Sequence, residues 1–210
     1  MHRYAVAVAD RLAALIREVD DFLMGESKVQ ATLTRIAHCL DELGIDFALA
    51  SGLAVGVRGH VRLTVDVDIL VTAEGLTRFK TRWLGRGYAE TSPGSRSVLD
   101  SETRVVIDFL ISGEFPGDGR PKPVRFPDPS TIMKADDLYR VLDLRTLVEL
   151  KLASGISAAD RLQDLADVVA LVRANDLPGS FADVLDPSVQ DKYRELWTAA
   201  QRPREPGRGT

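Results

Sequence analysis

The chain has 210 residues, of which 45% are hydrophobic, 28% charged and 6% aromatic. That balance excludes the disordered, collagen-like and coiled-coil classes, and at this length about 70% of the unfolded surface can be buried without cross-links. Basic residues number 27 against 31 acidic ones, a net charge of −4, which is a poor match to non-specific coating of nucleic acid while leaving a local basic cleft open.

Leu12, Leu15, Ile16, Val19, Phe22 and Leu23 recur at three-and-four spacing, which predicts an amphipathic helix from Tyr4 to Met24, closed by Gly25. Ser27 is the expected N-cap of a second helix over Lys28–Leu43, whose apolar stripe is Val29, Leu33, Ile36, Ala37, Leu40 and Leu43 and which Gly44 stops. Ile45–Ser51 reads as a short strand entering Gly52, followed by a small-residue helix that ends near Gly56 or Gly59. From Arg62 to Val71, apolar Val65, Val67, Ile69 and Val71 alternate with Asp66, Asp68 and Leu70, a strand with one acidic face. Leu76–Leu84 reads as helix, "YAET" as a strand, "SPGSRS" as a polar turn, and Thr103–Ser112 as a strand with Val106, Asp108 and Leu110 on one face. Pro116, Pro121, Pro123, Pro127 and Pro129 make 113–129 an extended connector. Helices are expected over Leu144–Ser154, Ala158–Asn175 and Pro187–Gln201, with "SGIS" separating the first two and a frayed tail after them. The order gives an α/β (α+β) class: a small mixed β-sheet core flanked by helices, with a helical C-terminal part.

Cys39 is the single cysteine, so no intramolecular disulfide forms. With only His2, His38 and His60 beside it, zinc-ligand spacing is absent. His38 and Cys39 are adjacent in a predicted helix and point about 100° apart, which spoils them as a catalytic pair. No run of about 18 apolar residues occurs, and Asp10 interrupts the N-terminal apolar stretch, so neither a membrane span nor a signal peptide is read and a cytoplasmic protein is expected.

Residues two apart on a strand share a face, so Asp66 and Asp68 present adjacent carboxylates. Their mutual repulsion calls for a hard cation, for which magnesium with its oxygen shell is suited. Asp108 on a neighbouring strand would supply the third carboxylate of a two-metal phosphoryl-transfer site and help activate an attacking hydroxyl. Ser51 and Gly52 form the turn before a helix, where a hydroxyl and backbone N–H groups can approach phosphate. Arg62 is placed for phosphate or nucleobase, with ordinary salt bridging equally open. Lys151 falls on the apolar stripe of Leu144, Leu147 and Val148, and Asp160, Asp164 and Asp167 share one face of the next helix. Either the two helices face each other through a Lys–Asp pair or both face a nucleotide; Asp164 and Asp167 read first as structural.

The stretch "LASGLAVGVRGHVRLTVDVDIL", with 13 residues between Gly52 and Asp66, followed by "VVIDFL", resembles the nucleotidyltransferase-fold superfamily that includes DNA polymerase β and the aminoglycoside nucleotidyltransferases. "RLTVDVDILV", with "LDLRTLVELKLASG" and "DRLQDLADVVALV" after it, looks like the bacterial uncharacterised nucleotidyltransferase branch related to abortive-infection toxins of toxin–antitoxin pairs. The resemblance covers about Leu40 to Val172 and implies a nucleotidyltransferase core over 27–135, after an N-terminal helix (1–26) and before a helical part (136–201) and a disordered tail (202–210). It implies a magnesium-dependent enzyme with metal on Asp66, Asp68 and Asp108 and nucleotide on Ser51, Gly52, Arg62 and Lys151. The chain would bind a nucleoside triphosphate, ATP among the candidates, and move its nucleoside monophosphate to a hydroxyl of tRNA, protein or a small molecule. Two positions depart from the family pattern: Ser51 stands where Gly is usual, ahead of Gly52, and Gln163 where Arg is usual. They favour the alternative of a silent nucleotidyltransferase-like binding module, a component of a toxin–antitoxin pair with a partner protein.

Overall fold

The computed structural model describes residues 27–132 and 139–202, so the helix expected over Tyr4–Met24 and all but the first residue of the 202–210 tail lie outside the described residues. Helix α1 (Lys28–Glu42) begins where Ser27 Oγ accepts from the Gln30 N–H at 3.2 Å, and it buries Val29, Leu33, Ile36, Ala37 and Leu40. The chain then runs through β1 (Ala48–Leu49), α2 (Ser51–Val57), β2 (Asp66–Val71), α3 (Ala73–Trp83), β3 (Tyr88–Glu90), β4 (Ser97–Asp100) and β5 (Val106–Ile111). A helical part follows: α4 (Leu144–Ser157), α5 (Leu162–Ala174), a 3-10 turn at Gly179–Val184 and α6 (Pro187–Ala200).

The five strands form one mixed sheet in the order β1-β2-β5-β4-β3. Only β2 and β5 run parallel, in a register that puts Asp68 beside Asp108 and Asp66 beside Val106; the other pairings are antiparallel. Both central strands alternate at their starts, with Val67, Ile69, Ile107 and Phe109 buried and the aspartates between them half-buried. Phe79 of α3 packs against Tyr88 and Phe109, with ring centroids 5.2 Å from each, and so closes one face of the sheet. The predicted α/β class with a helical C-terminal part is the observed one.

Several boundaries differ from the expected ones, for physical reasons. Regular β2 starts at Asp66 rather than Arg62, because its pairing with β5 begins at Asp66 and the residues before it have no strand partner among the described residues. Strand β4 shares only Ser97 with the predicted polar turn; its other residues, Val98, Leu99 and Asp100, carry no predicted element, because a four-residue strand is too short for its alternation to register. Helix α4 runs on through Gly155 to Ser157 instead of stopping at Ser154. Gly155 is a contact point, since a Cβ there would lie 2.5 Å from Leu165 of α5. Helix α5 starts at Leu162, later than Ala158.

Candidate active site

The parallel β2–β5 pair brings Asp66, Asp68 and Asp108 to one face of two adjacent strands, whose axes are about 4.8 Å apart. Each carboxylate has its own donor: Thr64 Oγ1 lies 2.9 Å from Asp66 Oδ1, Ser97 Oγ donates to Asp108 Oδ1, and the Ser51 hydroxyl donates to Asp68. Among the described residues none of the three is within ion-pair distance of a cationic side chain. Burial, and then the charges of Asp66 and Asp108, push the Asp68 carboxyl up to about 6, against the opposing effects of Ser51 and Lys151.

Among the described residues no three His, Cys, Asp or Glu side chains converge as a ready-made metal group. The donor chemistry nevertheless fits a hard divalent cation. Asp66, Asp68 and Asp108 offer only carboxylate oxygens, and burial together with the neighbouring carboxylates disfavours the Asp68 charge by more than Ser51 and Lys151 relieve.

The turn before α2 departs from ordinary backbone geometry. Ser51 has φ +47°, a left-handed conformation that costs a side-chain-bearing residue about 1–2 kcal/mol and that Gly adopts freely. Gly52 is buried, and a Cβ there would sit 2.9 Å from Thr64 Oγ1 and 3.3 Å from Arg62 Nη2. Its missing side chain therefore makes room for the segment leading into β2.

Lys151 of α4 is 5% exposed and reaches a buried ionic cluster rather than open solvent. Its ammonium lies 2.6 Å from Asp164 Oδ1, 2.8 Å from Asp167 Oδ2 and 3.4 Å from Ser51 Oγ. Ser154 Oγ donates to the other Asp164 oxygen at 2.6 Å. Asp167 is fully buried and also accepts from Arg62, at 3.0 Å from Nε and 3.2 Å from Nη2, and from Gln163 Nε2 at 2.9 Å. Burial alone would push the Asp167 carboxyl up, but the Lys151 ammonium, the Gln163 amide and the Arg62 guanidinium outweigh it and hold the carboxyl below the usual range. Of the two arrangements open for Lys151, the helices face each other through a Lys–Asp pair. Arg58, near the site in sequence, binds the carbonyls of Leu142 and Val141 at 2.8 and 3.1 Å.

A cavity of about 280 Å³ opens beside this cluster. Ser51, Asp68, Lys151 and Asp164 are among its polar lining, and Phe109, Phe126, Leu142 and Leu147 among its apolar wall. The segment 113–119, expected as a mere connector, forms part of the lining and is tied to α4 where the Asp118 N–H donates to Ser157 Oγ at 3.3 Å. Asp66, Asp108, Gly52 and Arg62 are not part of its lining. Sequence reasoning overlooked Thr64 and Ser97, hydroxyls next to predicted carboxylates on the sheet, and Ser154, one turn after Lys151. Among the described residues no helix is long and apolar enough to cross a membrane.

No protein-family model and no curated protein matches the chain. Among solved structures, it is similar to the crystal structure of ANT(2'')-Ia in complex with adenylyl-2''-tobramycin, at 12% identity over 82% of this chain and 88% of that one, with a TM-score of 0.39. It is also similar to the solution structure of the antibiotic-resistance factor ANT(2'')-Ia, at 13% identity over 81% and 82% of the two chains, with a TM-score of 0.38. Likeness at this level leaves the reading of the site to its own residues.

Proposed function

We propose that the chain is a magnesium-dependent nucleotidyltransferase, moving a nucleoside monophosphate from a nucleoside triphosphate to an acceptor hydroxyl. The observation that carries this reading is the register of β2 and β5, which sets Asp68, a lining residue of the cavity, beside Asp108 with Asp66 on the same face. Asp66, Asp68 and Asp108 would hold magnesium, which when bound neutralises charge on the phosphates. The acceptor oxygen bonds to the α-phosphorus as the α–β bridging bond breaks, and pyrophosphate leaves with that electron pair. The hydroxyl proton passes to Asp108, whose Oδ1 is engaged by Ser97 while Oδ2 has no partner among the described residues. The apolar wall of Phe109, Phe126, Leu142 and Leu147 suits the flat face of a base. Lys151 and Ser51 border the same space, while Lys151 and Arg62 are both bound to Asp167 and act on phosphate only by exchanging that partner.

That internal pairing supports a second reading, a nucleotidyltransferase-like binding module with transfer lost and a protein partner of the toxin–antitoxin kind. Thermal unfolding with magnesium and each of the four ribonucleoside triphosphates separates the two. A magnesium-dependent rise in midpoint with one triphosphate, absent in Asp66→Ala, supports the enzyme; ligand at a hundredfold excess over its dissociation constant adds about 2.7 kcal/mol. No rise with any triphosphate at millimolar concentration favours the module.

A further inference from the structure

Three cationic side chains line the cavity: Arg96, Lys151 and Arg161. Two are already committed. Lys151 is bound by Asp164 and Asp167, and Arg96 forks onto Glu114, with Nη2 2.8 Å from Oε1 and a second bond from Nη1 to Oε2. Arg62, which is not part of the lining, is held by Asp167. The guanidinium of Arg161 has neither a hydrogen bond nor an ion pair among the described residues.

Its backbone, by contrast, is well fixed. The Arg161 N–H donates to the Ala158 carbonyl at 3.1 Å and its own carbonyl accepts from the Asp164 N–H at 3.0 Å. Gly155 of α4 packs so closely that a Cβ there would lie 3.3 Å from that carbonyl. The free guanidinium is thus carried by an anchored turn onto the wall that also holds Asp68 and Asp164. Those carboxylates repel a polyphosphate, and the Lys151 charge is neutralised within the wall. An unpaired guanidinium, with a planar fork that matches two phosphate oxygens at once, is the group left to draw an anion in.

We propose that Arg161 is the clamp for the terminal phosphates of the nucleoside triphosphate and sets the preference of the site for a triphosphate over a monophosphate. This rests on the nucleotidyl-transfer reading above. The test is calorimetric titration of the full chain and its Arg161→Gln and Arg161→Lys variants with magnesium and each of the four ribonucleoside triphosphates and monophosphates. Unfolding midpoints serve as the control for folding, since Arg161 is exposed and its side chain makes no hydrogen bond or ion pair among the described residues. Triphosphate affinity is expected to fall tenfold or more in Arg161→Gln and less in Arg161→Lys, with monophosphate affinity unchanged. Equal losses for both ligand classes, or no loss for either, overturn the role of Arg161 and leave the nucleotidyl-transfer reading standing. If the unaltered chain binds no triphosphate at millimolar concentration, that reading falls, and the clamp with it.

Discussion

The ammonium of Lys151 lies 2.8 Å from Asp167 Oδ2, with both side chains almost wholly withdrawn from solvent. Asp167 in turn receives Arg62 from the segment before β2, so one buried carboxylate joins the sheet to α4 and α5. Removing its charge leaves the buried ammonium with Asp164 as its remaining carboxylate and Arg62 without an ion-pair partner, and the loss of hydrogen bonds between charged groups costs about 1.5–3 kcal/mol. Asp167→Asn should therefore lose stability of that order in urea unfolding at pH 7. The sign with pH follows from the Asp167 carboxyl being held below its ordinary value. Its contribution is complete above the unfolded carboxylate value and is lost as pH falls through the folded value, so the gap between variant and parent should close in acid. A gap that is constant with pH would assign the effect to shape rather than charge.

Asp68 should behave in the opposite way. Its folded value, about 6, lies above the ordinary 3.8, so the native state holds that proton more tightly than the unfolded chain does. Stability from this group is present in acid and is lost as pH rises from the unfolded value through about 6. In chelator, Asp68→Asn removes that loss and should stabilise the chain by roughly 2–3 kcal/mol at pH 8, with the gain vanishing below pH 4. Adding magnesium should raise the parent midpoint and leave the variant unmoved. A variant less stable than its parent at pH 8 would mean that burial and the neighbouring carboxylates do not disfavour the Asp68 charge.

At Ser51, backbone and side chain pull in opposite directions, and two substitutions separate them. Alanine removes the hydroxyl that meets Asp68 and Lys151 and keeps the cost of φ +47°; glycine removes both. Ser51→Gly should be the more stable of the two variants by about 1 kcal/mol in denaturant unfolding. Both should weaken triphosphate binding to a similar extent if the hydroxyl matters. Equal stabilities would show that the turn relaxes to a conformation open to any residue.

What the sequence shows of this site is the part carried by local repetition. The alternation of acid and valine around Asp66 and Asp68, and the one acid, Asp108, set between Ile107 and Phe109 in an apolar run, mark two strands with a shared chemistry before any pairing is known. Lys151 on an apolar stripe announces a buried partner, and the spacing of Asp164 and Asp167 supplies it. The meeting of Arg62 with Asp167 spans 105 residues and leaves no local trace. Arg161 sits in a turn, where periodicity is silent, and its exposure to the cavity depends on how closely α4 and α5 cross at Gly155. The proline-rich segment after β5 reads as a connector because nothing in its composition says that it folds back over a cavity.

The closeness of Gly52 to Thr64 ties the turn to the carboxylates and can be tested by a double-mutant cycle. A Cβ at position 52 would stand 2.9 Å from Thr64 Oγ1, the same oxygen that donates to Asp66 at 2.9 Å. Gly52→Ala must push Thr64 away, at an overpacking cost of about 1–3 kcal/mol, and should free the Asp66 carboxylate from its donor. Thr64→Ala clears that oxygen from the contact, leaving the Thr64 Cβ at 3.3 Å. The double variant should therefore recover most of the stability lost in Gly52→Ala, giving a coupling energy of roughly 1 kcal/mol or more. Magnesium-dependent triphosphate binding should not recover alongside it, because Asp66 still lacks the Thr64 hydroxyl. Additive stabilities would place the importance of Gly52 in its backbone alone, and recovered binding would remove Thr64 from the positioning of Asp66.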